Sequence, residues 1–161
     1  MSNYILDLRK SVGNRPLLQC GASVIAVNER GEILLQKRSD DGHWGYCGGS
    51  VELGEIVSEA AAREFFEECG LTANKLELFD VFSGPELHHI YPNGDEVHNI
   101  DLVYICQDYS GELRLDQDEV LDLAFFPIDQ LPSPIFGPNR TALTAYLKSR
   151  GVADANLWRV L

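Results

Sequence analysis

The chain has 161 residues, 45% of them hydrophobic and 24% charged, with a formal net charge of −12. That length fits one domain, taken as residues 1–161, with a core large enough to need no disulfides, and the composition excludes intrinsic disorder. A nucleic-acid polymer needs a basic footprint, so the charge excludes DNA or RNA as a partner; a small phosphate ester stays admissible if a divalent cation stands between it and the protein.

The N-terminal MSNYILDLRK is interrupted by charge, and no apolar run reaches the length of a membrane span. Cys20, Cys47, Cys69 and Cys106 form no C-x-x-C and read as reduced thiols. The expectation is a cytoplasmic protein with no membrane partner.

Ile5, Leu8 and Val12 predict a helix over Tyr4–Val12 that ends at Gly13. Residues 17–27 and 32–37 read as strands, joined by the Asn28-Glu29-Arg30-Gly31 turn into a hairpin. A polar loop over 39–45 leads to a short strand over 46–51. A helix over Val57–Cys69 follows, stopped by Gly70. Further strands fall at 76–82, 96–106 and 121–126. The Pro92-Asn93-Gly94-Asp95 turn predicts that 87–90 pairs with 97–100 in a hairpin that projects over the site or a partner subunit, which keeps a homodimer open. A last helix covers 141–149. The order β, β, α, β, β, α gives an α/β (α+β) fold, a mixed sheet with helices packed on it.

On a helical wheel at about 100° per residue, Ala61, Ala62, Phe65, Phe66 and Cys69 share one apolar face. Glu64, Glu67 and Glu68 lie together on nearly the opposite side. A solvated acidic face is the ordinary reading of such a run. Against it, like charges at i, i+4 repel, these three sit where the helix dipole also disfavours anions, and Arg63 alone offsets them within the helix. A bound Mg²⁺ removes that repulsion, because it takes hard oxygen ligands.

Reading straight through, Gly49, five residues, Glu55, seven residues and then Arg63-Glu64-Phe65-Phe66-Glu67-Glu68-Cys69-Gly70-Leu71 fills every fixed position of G-x5-E-x7-R-E-U-x-E-E-x-G-U. This is the Nudix box, and the chain resembles the Nudix hydrolases. The likeness extends from Ala22–Leu35 to Phe125–Pro132.

The resemblance implies a Nudix fold, a mixed sheet sandwiched between helices. It also implies hydrolysis of the diphosphate link in a nucleoside diphosphate joined to some moiety X, with Mg²⁺ or Mn²⁺ as cofactor. Glu64, Glu67 and Glu68 are then metal ligands, with the Gly49 carbonyl a further one. Arg63 is the orienting arginine, tied to Glu55 or to a helix carboxylate. Glu119, six residues before Phe125, is the candidate for a further ligand or the general base, with Glu64 the rival for that role. Three positions depart from the family pattern: Cys47 replaces a proline and is expected to loosen the loop, Phe65 is larger than the usual aliphatic, and Ile56 weakens the helix cap.

The box leaves X open. Pro85, fourteen residues after Leu71, lies close to where ADP-ribose-hydrolysing members carry a proline, which favours an ADP-ribose-like substrate over a nucleoside triphosphate. Trp44, Tyr46, Phe82 and Tyr91 are candidates to stack on a base. His88-His89 lacks a third ligand at suitable spacing and reads as exposed loop histidines. Two rival functions are a catalytically silent nucleotide-sensing module and a prenyl diphosphate isomerase on the same fold; the intact box acids speak against the first.

Overall fold

The computed structural model describes residues 3–152. Helix α1 (Tyr4–Val12) is capped by the Asn3 side chain, which accepts from the Leu6 N–H. Its buried Arg9 donates to the Gly13 and Glu96 carbonyls and so fastens α1 to β7 (Glu96–Ser110).

Two sheets form the middle layer. In the larger, β4 (Cys47–Ser50), β1 (Leu17–Ala26), β7 and β5 (Thr72–Phe82) lie in that order, and β6 (His88–Ile90) also pairs with β7. The β1–β7 pair is parallel, from Leu17↔Val97 to Ala26↔Cys106, and the others are antiparallel. The smaller sheet orders β3 (Trp44–Gly45), β2 (Ile33–Arg38) and β8 (Val120–Phe126).

Side-chain alternation along these strands feeds two cores. Ala22, Val24, Ala26 and Leu34 pack with Ala61, Phe65 and Cys69 of α2 (Val57–Cys69). Ile25, Val27, Ile33 and Leu35 pack with Ala142, Leu143 and Tyr146 of α3 (Arg140–Ser149). Both faces of the central strands are therefore covered, which is why the second half of β1 is buried at every position. The result is the expected sandwich of sheet between helices.

Three local expectations change. The Asn28–Gly31 turn forms, with Asn28 N–H donating to Glu32 O at 3.0 Å, yet β1 and β2 meet only at the Val27↔Ile33 bridge. Each strand has both edges taken by other partners, so the chain changes sheet at the turn. The strand expected over 46–51 forms as β4, but the loop expected over 39–45 ends in a further strand, β3, which joins the other sheet. On α2, Phe65 is fully buried but Phe66 is 46% exposed, with the Arg114 guanidinium 5.7 Å from its ring centroid. The buried arc centres on Ala61, Phe65 and Glu68 instead, because Glu68 turns inward to polar partners between the sheets.

Candidate active site

Gly48 and Gly49 of β4 lie beside the face of α2 that carries Glu64 and Glu68. Close approach requires glycine here: a Cβ on Gly49 would stand 2.6 Å from both Glu64 carboxylate oxygens, and one on Gly48 would stand 2.9 Å from the Ala22 carbonyl oxygen. Glu68 is 7% exposed, and its Oε2 accepts from the Gly48 N–H at 2.9 Å and from Gln36 Nε2 at 3.0 Å. Gln36 reaches it from β2, so the second sheet fixes the orientation of this carboxylate.

Arg63 organises the opposite wall. Its Nε and Nη2 donate to the two oxygens of Glu55 at 2.6 and 2.9 Å, its Nη2 also donates to the Ser50 carbonyl at 3.1 Å, and its Nη1 donates to Glu64 Oε1 at 2.7 Å. The expectation left Glu55 and a helix carboxylate as alternatives; Arg63 holds both. The bidentate pair keeps Glu55 below the usual carboxylate range. The loop between β4 and α2 is thereby clamped to the helix it precedes.

Glu64, Glu68 and Glu119 line one cavity of about 360 Å³, together with Gln36, Arg38, Gly48, Gly49 and Tyr91. Glu119 arrives on the turn before β8, where its carbonyl accepts from the Ser39 N–H. Glu67 lies at the exposed side, 3.4 Å from Arg63 Nη1. Burial pushes Glu64 above the ordinary carboxylate range, with Glu67 and then Glu119 adding repulsion, and burial pushes Glu119 up as well, with Asp116 and then Glu67 adding repulsion. Burial moves Glu68 well above that range, with Glu64 and then Glu119 adding repulsion. A set of partly buried carboxylates that raise one another, against a backbone close enough to offer a carbonyl, is a hard-oxygen donor set that suits Mg²⁺ or Mn²⁺.

A second, smaller cavity of about 80 Å³ adjoins the first, sharing Gln19, Arg38, Gly48, Gly49 and Tyr91 with it. At its centre Asp101 of β7 is 7% exposed and accepts from Ser23 Oγ at 2.7 Å and Tyr46 Oη at 2.8 Å. Burial raises its carboxyl above the usual range, against the lowering effect of those two donors. Asn139 lies on the same wall.

The four aromatic candidates separate. Tyr91 lines both cavities and Tyr46 lines the smaller one. Trp44 is instead buried edge-on to Phe126 at 5.1 Å, and Phe82 packs with Phe79 against the second core, so both serve the fold. Pro85 opens a 3-10 turn, Pro85–Leu87, that borders a hollow beside His88 and not the acidic cavity. Cys47 does not loosen its loop: it is 1% exposed, paired with Val24, with its thiol pushed up by a hydrogen bond with Cys69 and by burial. The sequence reading missed Gln36, Arg38, Asp101 and Asn139. A signal existed for two of them, since Gln36 directly follows the apolar run Ile33–Leu35 within its strand and Asp101 interrupts the apolar run Ile100–Val103.

The NUDIX domain family model matches residues 17–146, which include Glu64, Glu68, Glu119 and the arginine clamp. The chain belongs to the Nudix family. It is 35% identical over 139 residues to an ADP-ribose pyrophosphatase of Methanocaldococcus jannaschii, covering 84% of this chain and 78% of that protein. It is 33% identical over 137 residues to a putative 8-oxo-dGTP diphosphatase of Bacillus subtilis, covering 85% and 84%. Among solved structures it resembles a MutT Nudix hydrolase of Burkholderia pseudomallei with a TM-score of 0.67 and 33% identity, covering 80% of this chain and 97% of that one. As a Nudix hydrolase it acts on phosphoanhydride bonds. None of the helices among the described residues is long and apolar enough to cross a membrane.

Proposed function

We propose that this chain is a Mg²⁺- or Mn²⁺-dependent pyrophosphohydrolase of a nucleoside diphosphate linked to a second moiety, with Glu64, Glu68, Glu119 and the Gly49 carbonyl holding the ion and Glu67 contributing from the exposed edge. The observation that carries this reading is the convergence of Glu64, Glu68 and Glu119 on Gly48–Gly49 in one cavity. An ion held there would supply charge neutralisation at the phosphate oxygens and acidification of a water. Arg63 keeps the Glu64 carboxylate aimed and the Ser50 carbonyl in place. Glu119 is the candidate to accept the proton of the attacking water at its carboxylate, and Glu64 is the rival base, since both carboxylates line the same cavity.

The smaller cavity fits the edge of a nucleobase. Asp101 and Asn139 present hydrogen-bonding groups that a base edge satisfies, and Tyr91 lies where the two cavities join. The moiety X extends from the acidic cavity along Tyr91, which follows β6 directly, so the segment between β5 and β7 shapes the far side of the pocket. This supports an ADP-ribose-like pyrophosphate ahead of a nucleoside triphosphate, although Pro85 itself contributes nothing to the pocket. A panel of ADP-ribose, diadenosine polyphosphates, NADH and nucleoside triphosphates, assayed with Mg²⁺, with Mn²⁺ and with EDTA, tests both levels. Activity in EDTA would sink the metal assignment. A triphosphate preferred by more than about tenfold in kcat/KM, roughly 1.4 kcal/mol of transition-state binding, would sink the ADP-ribose preference alone.

A further inference from the structure

Away from both cavities, the hairpin of β6 and β7 carries three metal-ligand side chains on one outer surface. His88 is the Cα partner of His98 across the two strands, and Glu96 precedes His98 by two residues and so shares its face. The two imidazole centroids are 4.7 Å apart at an interplanar angle of 37°, and His88 Nε2 lies 2.8 Å from Glu96 Oε1. One ligand atom from each of the three residues lies within 4.8 Å of the others. The sequence reading found no third partner for His88-His89. Strand pairing supplies two for His88, while His89 points to the other face, where it packs edge-on to Tyr91 and Phe136.

We propose that His88, Glu96 and His98 form a site for a borderline transition-metal ion, Zn²⁺ foremost, independent of the acidic cavity. Two imidazole nitrogens and one carboxylate oxygen suit Zn²⁺, Ni²⁺ or Cu²⁺, whereas Mg²⁺ selects the all-oxygen set on α2. Ligand atoms around a tetrahedral Zn²⁺ stand about 3.3 Å apart, so small side-chain rotations close the set around one ion. The backbone beneath is already fixed. Val97 is buried, Arg9 holds the Glu96 carbonyl, and Asn99 Nδ2 donates to the Leu87 carbonyl at 3.1 Å across the hairpin. A simple His88–Glu96 ion pair leaves the second imidazole unused at stacking distance, whereas a metal ion uses the lone pairs of both rings. Three protein ligands leave one position open towards the hollow bordered by Gly84 and Pro85.

Metal-stripped full-length protein, titrated with Zn²⁺ by calorimetry and with Co²⁺ by visible absorption, tests this site. Wild type is expected to bind one tight equivalent that shows tetrahedral Co²⁺ bands and survives Glu68→Gln. His88→Ala and His98→Ala are each expected to weaken that equivalent by about tenfold or more, with the melting temperature in EDTA unchanged. His98→Gln, which keeps size and hydrogen bonding, replaces His98→Ala should the latter fold poorly. Unchanged Zn²⁺ affinity in the His98 variants, or loss of the tight equivalent in Glu68→Gln, would falsify the assignment. Because these readouts are binding and spectra, they stand whether or not the hydrolase reading holds.

Discussion

Glu68 combines a buried carboxylate with donors that are both neutral, the Gly48 N–H and the Gln36 amide. Neither offsets its charge as an arginine does for Glu64, so this position depends most on a cation. Replacement by glutamine keeps the size and an acceptor oxygen while removing the charge. Among glutamine variants at positions 64, 67, 68 and 119, Glu68→Gln is therefore expected to lose the most turnover, roughly 10²-fold or more, with weakened Mg²⁺ affinity. Wild-type turnover in that variant would mean that the ion sits elsewhere. Glu67, exposed and only loosely paired with Arg63, is expected to lose the least.

Helix α2 shows how one element serves packing and chemistry together. Its two phenylalanines are neighbours in sequence but not in environment: Phe65 is fully buried among Ala22, Val24 and Leu34, and Phe66 is half exposed. Phe65→Ala is expected to cost about 3–5 kcal/mol in denaturant unfolding. Phe66→Ala should cost less than about 1 kcal/mol. Equal costs would show the helix rotated from its described setting. At its N-terminus, Ile56 is 60% exposed and makes no side-chain capping bond. Ile56→Ser is accordingly expected to stabilise the protein by about 1 kcal/mol, read as a rise in the denaturant midpoint at constant slope. The C-terminus needs no such help, because Gly70 closes it at a φ of 79° with its N–H on the Phe66 carbonyl.

For the molecule as a whole, the acidic cavity sets stability against function. Glu64, Glu68 and Glu119 all titrate higher in the folded protein than the ordinary 4.5. Below that value all three are protonated in both states and the difference vanishes. As pH rises through the window from 4.5 to their raised values, the unfolded chain releases protons that the folded one retains, so metal-free stability falls. Above the window the loss is constant. In EDTA, the stability of Glu68→Gln relative to wild type is expected to grow across this window, reaching about 1–3 kcal/mol at pH 8. Mg²⁺ should narrow the gap by stabilising wild type alone. A difference that stays flat between pH 4.5 and 8 would show that Glu68 ionises without cost.

The sequence by itself determined what is local. Helix α2 runs over Val57–Cys69 as its apolar spacing and Gly70 predict, and the placing of Glu64 and Glu68 on one face follows from their i, i+4 spacing. The Arg63 clamp was legible only through the resemblance to the Nudix hydrolases, which implied a tie to Glu55 or to a helix carboxylate, and Arg63 holds both. What only the tertiary structure decided depends on strand register and on which element covers which. Tyr46, Ser23 and Asp101 meet because β1 pairs with β4 on one side and β7 on the other, a fact that no spacing along the chain contains. Gln36 reaches Glu68 only because β2 leaves the expected hairpin for a second sheet. The same choice turned Glu68 inward and left Phe66 outside. An amphipathic wheel fixes relative angles within a helix, but its absolute rotation is set by the polar partners that await it across the interface.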